Sequence, residues 1–167
     1  GAENIQKGSI VVLECSTGKI KAMVSCPTFD PLDVGSALSQ EDGPLLNRGI
    51  SAFNVGSVFK PLVAAAALEP GVDPLEEYTC TGSIEIGGHT YRCANGRSHG
   101  TVNMQGALEH SCNCYFIHLL NGQGAGRLYE LCTECGLGTE SRFAPGYAGS
   151  AGSLPSPKQL KNLGELS

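Results

Sequence analysis

Two residues in the segment Gly56-Ser57-Val58-Phe59-Lys60-Pro61 have the types and spacing for acyl transfer. The hydroxyl of Ser57 is a weak nucleophile until a base takes its proton. Lys60, three residues on, can be that base when burial or positive surroundings lower its pKa. At this spacing on a helix the two side chains share a face, one turn apart. A helix N-terminus adds free N–H groups and a dipole that favour negative charge on the serine oxygen. The Ser57 N–H is also a donor for a tetrahedral oxyanion. Pro61 is tolerated because few backbone bonds are lost in a first turn. The pattern S-x-x-K is not specific by itself: Ser16-Thr17-Gly18-Lys19 matches it too and reads as a plain hairpin turn.

A second pair, Ser111 and Asn113, lies in Ser111-Cys112-Asn113 after a short expected helix. A hydroxyl there can relay a proton to a leaving amine, and the amide can orient a substrate peptide. Taken alone, the pair reads first as helix-terminal groups making local backbone bonds.

The eight cysteines are Cys15, Cys26, Cys80, Cys93, Cys112, Cys114, Cys132 and Cys135. An even count permits disulfides without fixing their connectivity. Cys80 and Cys93 are the best pair for one, because they flank a Gly-rich segment able to fold back on itself. Cys112-Asn113-Cys114 and Cys132-Thr133-Glu134-Cys135 could together hold zinc. Most of the thiols nevertheless read as small buried groups, and no metal or other cofactor is expected. His89, His99, His110 and His118 show no triad-like arrangement and read as structural or surface residues.

These side chains need elements to position them. Ser9 to Glu14 and Lys19 to Ser25 predict a β-hairpin around Ser16-Thr17-Gly18, with Ile20, Ala22 and Val24 on one face. Residues 27–56 read as loop with short helical turns. The Ala-rich run Val58 to Glu69, stopped by Pro70-Gly71, predicts the helix that carries Lys60. Residues 72–100 read as a loop-rich insert with one hairpin, Ser83–Ile86 and Thr90–Arg92, turned by Gly87-Gly88. Helices are predicted over Asn103 to Glu109, Tyr115 to Leu120 and Leu128 to Cys135, the last closed by Gly136, and again over Pro157–Leu163.

Composition bounds the partners. With 41% hydrophobic and 16% charged residues in 167, the chain reads as one globular domain. A net charge of -5 without a basic stripe gives no footprint for nucleic acid. No apolar run approaches the roughly 20 residues that span a bilayer. The chain opens on Gly1-Ala2-Glu3 without Met, so a processed or excised piece of a longer protein is expected, with residues 1–7 as linker.

Taken in order, these motifs resemble a known family. Asn47-Arg48, Gly56-Ser57-Val58-Phe59-Lys60-Pro61, His99-Gly100 and Ala107-Leu108-Glu109-His110-Ser111-Cys112-Asn113-Cys114-Tyr115-Phe116 form a series similar to the penicillin-binding transpeptidases. The likeness is strongest to the class B enzymes of division, elongation and sporulation. The opening Gly8-Ser9-Ile10-Val11-Val12, Pro27-Thr28-Phe29-Asp30 and the tail Gly152-Ser153-Leu154-Pro155-Ser156 fit as well, so the likeness runs from about 8 to 164. It implies an α+β fold: an N-terminal hairpin from an antiparallel sheet with a helical cluster, an incomplete transpeptidase domain over 8–167. It implies that Ser57 attacks the penultimate D-alanine of a peptidoglycan stem peptide, with Lys60 as base. Ser111 would pass a proton to the departing D-alanine, and Asn113, with Ser111, would hold the substrate. β-Lactams would acylate the same serine. A membrane-anchored parent on the extracytoplasmic face, with divisome or elongasome partners, is implied too.

The family's third motif, K-[ST]-G, does not occur in the 167 residues. It supplies a positive charge and an oxyanion donor, and losing one such donor costs about a hundred- to a thousand-fold in rate. The family places it, with further sheet strands, C-terminal to Ser167. A hairpin without those partners presents an open edge, so self-association is expected. Two other readings stand beside this one. A serine β-lactamase or β-lactam sensor would need a placed general base for deacylation, and the segment around Gly136–Ser153 has no Glu-x-x-x-Asn. A truncated, non-catalytic homologue would keep the fold alone.

Overall fold

A computed structural model describes residues 6–162, and these form two compact units. The first comprises 6–53 and 139–152, the second 54–138 and 153–162.

The first unit is built on the expected hairpin. β1 (Gly8–Leu13) pairs antiparallel with β2 (Ile20–Cys26), with Ile10 opposite Val24 and Val12 opposite Ala22. Gly18, at φ +69°, allows the tight turn between them, and Glu14 N–H closes it on the Lys19 carbonyl at 2.9 Å. The turn match to S-x-x-K is thus a hairpin end. The pleat sends Val11 and Met23 to one face, where they meet the loop around Gly49. The other face carries Ile10, Val12 and Val24, all well exposed. Among the described residues, β1 and β2 have no further strand beside them. A short helix α1 (Val34–Leu38), capped by Asp33, lies in the loop-rich stretch. β7 (Arg142–Ala144) and β8 (Tyr147–Ala148) form a small hairpin.

The second unit holds the core. A 3₁₀ turn, Gly56–Phe59, runs directly into α2 (Lys60–Leu68), so the predicted single helix is two helical forms joined end to end. Val63, Ala64, Ala66 and Ala67 of α2 are buried. Their small side chains let α4 (Asn113–Gln123) and α5 (Gly126–Glu134) approach closely, filled from the other side by Tyr115, Phe116 and Leu128. Arg127 of α5 ties that helix to α2 at the surface through Glu69, just past the end of α2, and also pairs with Glu134 on its own helix.

The insert is more ordered than its composition implies. β4 (Ser83–Ile86) and β5 (His89–Arg92) form the predicted hairpin, turned at Gly87 and Gly88, both at positive φ. Around it, β3 (Tyr78–Cys80) pairs antiparallel with β6 (Gly100–Val102), a pairing the sequence did not suggest. α3 (Met104–Glu109), capped by the Asn103 side chain, leads from β6 to Ser111. α6 (Pro157–Asn162) opens with a capping box in which the Ser156 hydroxyl and the Gln159 amide oxygen serve each other's N–H groups. The predicted end of this helix at Leu163 lies outside the described residues.

Candidate active site

All four residues singled out for acyl transfer lie in the second unit. Ser57 sits in the 3₁₀ turn and Lys60 is the first residue of α2. With three residues per 3₁₀ turn, positions i and i+3 eclipse, so the two side chains stand directly over one another. Lys60 Nζ donates to Ser57 Oγ at 2.8 Å. It also donates to Ser111 Oγ at 3.0 Å, across 51 positions of sequence. Ser111 Oγ donates in turn to Ser57 Oγ at 2.8 Å, which closes a triangle of two hydroxyls and one amine. Ser57 is exposed and Lys60 half-buried, so the triangle opens to solvent on the Ser57 side. Burial lowers the Lys60 pKa below the ordinary lysine range, while charge on the Cys93 and Cys112 sulfurs acts the other way.

Ser111 reaches the triangle through an unusual backbone. His110 caps α3, and Ser111 follows in the left-handed region at φ +52°. Cys112 N–H bonds the Ala107 carbonyl at 2.8 Å and Ser111 N–H bonds the Leu108 carbonyl at 3.1 Å. These are the two bonds of a Schellman helix stop, whose left-handed position usually belongs to glycine. A side chain there costs about 1–2 kcal/mol. The sequence accepts that cost and gains a hydroxyl aimed at Ser57.

Asn113 begins α4, and its amide donates to the Arg92 carbonyl at 3.0 Å, at the end of β5. That contact links the insert's hairpin to the S-x-N turn. A main-chain acceptor such as the Arg92 carbonyl leaves no mark on residue type, so the sequence does not announce this contact.

A family model for the penicillin binding protein transpeptidase domain matches residues 8–164. The chain belongs to this family. The peptidoglycan D,D-transpeptidase PbpA of Mycolicibacterium smegmatis is 36% identical over 163 residues, which is 87% of this chain and 33% of that protein. Penicillin-binding protein A from M. tuberculosis, solved as its penicillin G acyl-enzyme complex, superposes with a TM-score of 0.80 at 30% identity, covering 96% of this chain and 42% of that one. The D,D-transpeptidase domain of a peptidoglycan glycosyltransferase from Eggerthella lenta gives 0.84 at 30% identity, over 94% and 39%. The chain thus spans about a third of the length of the first curated relatives it matches.

Within this transpeptidase domain the cysteines depart from expectation. Cys80 and Cys93 do meet, but as free thiols with sulfurs 3.7 Å apart rather than as a disulfide, whose bond is about 2.05 Å. Cys112 and Cys114 do not group with Cys132 and Cys135. Cys135 is exposed on the far end of α5, whereas Cys112 and Cys114 turn inward to Cys93, at 3.8 and 3.4 Å. His99, read as structural or surface, joins them: its Nδ1 lies 3.6 Å from Cys80 Sγ. The β3–β6 pairing explains the gathering, since it brings residues 80 and 99–100 side by side.

The triangle makes a specific separation possible. Ser111→Gly relieves the left-handed strain and removes the hydroxyl, whereas Ser111→Ala removes the hydroxyl and keeps the strain. In urea unfolding, the Gly variant is expected to exceed the Ala variant by about 1 kcal/mol, and both are expected to lose acylation rate by about 10²-fold or more. A Gly variant that acylates like the parent would remove Ser111 from the chemistry.

Proposed function

We propose that this domain is the nucleophile-bearing part of a peptidoglycan D,D-transpeptidase. The observation that carries the reading is the triangle of Ser57, Lys60 and Ser111. Lys60, neutral in its reactive form, takes the Ser57 proton along the 2.8 Å contact as the oxygen attacks the penultimate D-alanine carbonyl. The Ser57 N–H, at the head of the 3₁₀ turn, faces the oxyanion that forms. Ser111 then passes a proton to the nitrogen of the departing D-alanine and takes in its place the proton held by Lys60, along their 3.0 Å contact. An amine from a neighbouring stem peptide takes the acyl group from Ser57, which makes the cross-link and restores the serine. Asn113, held by Arg92, binds the substrate's backbone.

A β-lactam is read as a mimic of the D-alanyl-D-alanine end that leaves Ser57 as a stable ester. The M. tuberculosis relative solved as a penicillin G acyl-enzyme complex supports this by likeness. Anchoring of the parent protein at the extracytoplasmic face of the membrane belongs to the same proposal. No helix among the described residues is long and apolar enough to cross a membrane.

The test is the intact mass of the protein after incubation with a labelled penicillin. One drug equivalent is expected on the parent chain and none on Ser57→Ala. Equal adduct on both would place acylation elsewhere.

A further inference from the structure

Behind the S-x-N turn lies a group of side chains that the acyl-transfer chemistry does not use. Cys80, Cys93, His99 and Cys112 bring their ligand atoms within 4.8 Å of one another, and the three cysteines are fully buried. We propose that these four residues form a zinc site that locks the insert to the S-x-N turn.

The spacing carries the proposal. A tetrahedral zinc with bonds of about 2.3 Å to sulfur and 2.0–2.1 Å to nitrogen separates two sulfurs by about 3.8 Å, and a sulfur from a nitrogen by about 3.6 Å. Cys80 and Cys93 stand at 3.7 Å, Cys93 and Cys112 at 3.8 Å, and Cys80 Sγ and His99 Nδ1 at 3.6 Å. Three edges of the figure are therefore already those of a zinc tetrahedron. The donor set of three thiols and an imidazole is a closed, structural one with no open position for water. Soft ligands of this kind select zinc over magnesium or calcium. Each thiol releases its proton to solvent as the ion binds, so binding weakens as the pH falls.

The four ligands come from four separate places in the chain. Cys80 ends β3, Cys93 follows β5, His99 precedes β6, and Cys112 links α3 to α4. The His99 ring lies parallel to His110 at 5.9 Å between centroids, which holds its plane. Cys112 matters most for the active site because it lies between Ser111 and Asn113. Its sulfur already serves as the N-cap of α4, accepting from Tyr115 N–H at 3.4 Å. One ion would fix that residue, and through it the direction of Ser111 and Asn113. It would also fix Cys93, whose neighbour Arg92 holds the Asn113 amide.

Cys114 supplies an internal control. Its sulfur lies 3.4 Å from Cys93, yet it is outside the set of four. The zinc content of the untagged full chain, purified under reducing conditions in the presence of zinc and measured by elemental analysis, tests the site. About one equivalent is expected for the parent, Cys114→Ser and Cys132→Ser, and less than a tenth for Cys80→Ser and Cys93→Ser. Cobalt(II) added to the apo parent, which needs no variant to fold, should give the intense visible bands of a tetrahedral thiolate centre. Absence of both zinc and those bands would overturn the site, and so would loss of zinc in Cys114→Ser to the level of Cys93→Ser. The lock is tested apart from the site: stripping zinc from the parent should slow penicillin adduct formation at least tenfold, and zinc should restore it. An unchanged rate in metal-free protein would leave zinc without a role at the S-x-N turn. The metal readouts do not depend on acylation, so they stand even if the proposed activity fails.

Discussion

With Lys60 replaced by Met, adduct formation from a labelled penicillin is expected to fall by about 10²–10⁴-fold. Only the neutral amine can accept the Ser57 proton, and burial shifts Lys60 toward that form. The sign of the pH dependence follows. The parent rate rises with pH as the ammonium gives up its proton, and it levels off below the value of about 10.4 at which an ordinary lysine titrates. Lys60→Met should flatten that rise. A folded-state pKa below the unfolded one means that the charged amine opposes folding below its ordinary pKa, and that opposition fades as the pH climbs. The variant should therefore be no less stable than the parent at neutral pH while losing most of its rate. Stopped-flow rates across pH, beside urea unfolding, separate the two effects. A variant that acylates at the parent rate with the same pH profile would assign the base to another group.

The second large effect is on stability. Phe116→Ala should cost about 3–5 kcal/mol, read as a lower urea midpoint at unchanged slope. Phe116 is 3% exposed and packs edge-to-face on Tyr115 at 5.2 Å, within the core shared by α2, α4 and α5. α4 carries Asn113 as its first residue and Cys112 as its cap, so an unseated α4 also misplaces the S-x-N turn. Val58→Ala is the matched control. It adjoins Ser57 but is 75% exposed, so a change within about 0.5 kcal/mol is expected. Similar losses from the two would mean that Phe116 does not anchor the core.

Much of this site was legible because the chemistry and the local structure share short segments. Ser57 and Lys60 are three residues apart, and helical spacing alone makes them neighbours. The hairpin of β4 and β5 announced itself through Gly87-Gly88 between alternating residues. The 3₁₀ form of the turn at Ser57 did not, since no residue type distinguishes it from a first α-turn. The β3–β6 pairing was hidden for another reason. Each strand is three residues long, too short to show alternation, and their partners lie about twenty residues away. That pairing decides where Cys80 and His99 go, so the thiol cluster was invisible too. The C-x-C and C-x-x-C spacings favoured Cys112, Cys114, Cys132 and Cys135 as a group, whereas the fold sets Cys112 beside Cys93. The closure of Ser111 on Ser57 across 54 positions was legible only through likeness to the family.

The left-handed residue at the end of α3 has a consequence for anyone improving this domain by selection. Position 111 is a place where the most stable amino acid and the useful one differ. A library scored on thermal tolerance or expression would enrich glycine there, and each round would be rewarded while the hydroxyl was discarded. Such a lineage would arrive at a sturdier domain with Ser57 and Lys60 intact and the proposed proton relay gone. Screening at this position has to be scored on acylation, with folding as the secondary criterion.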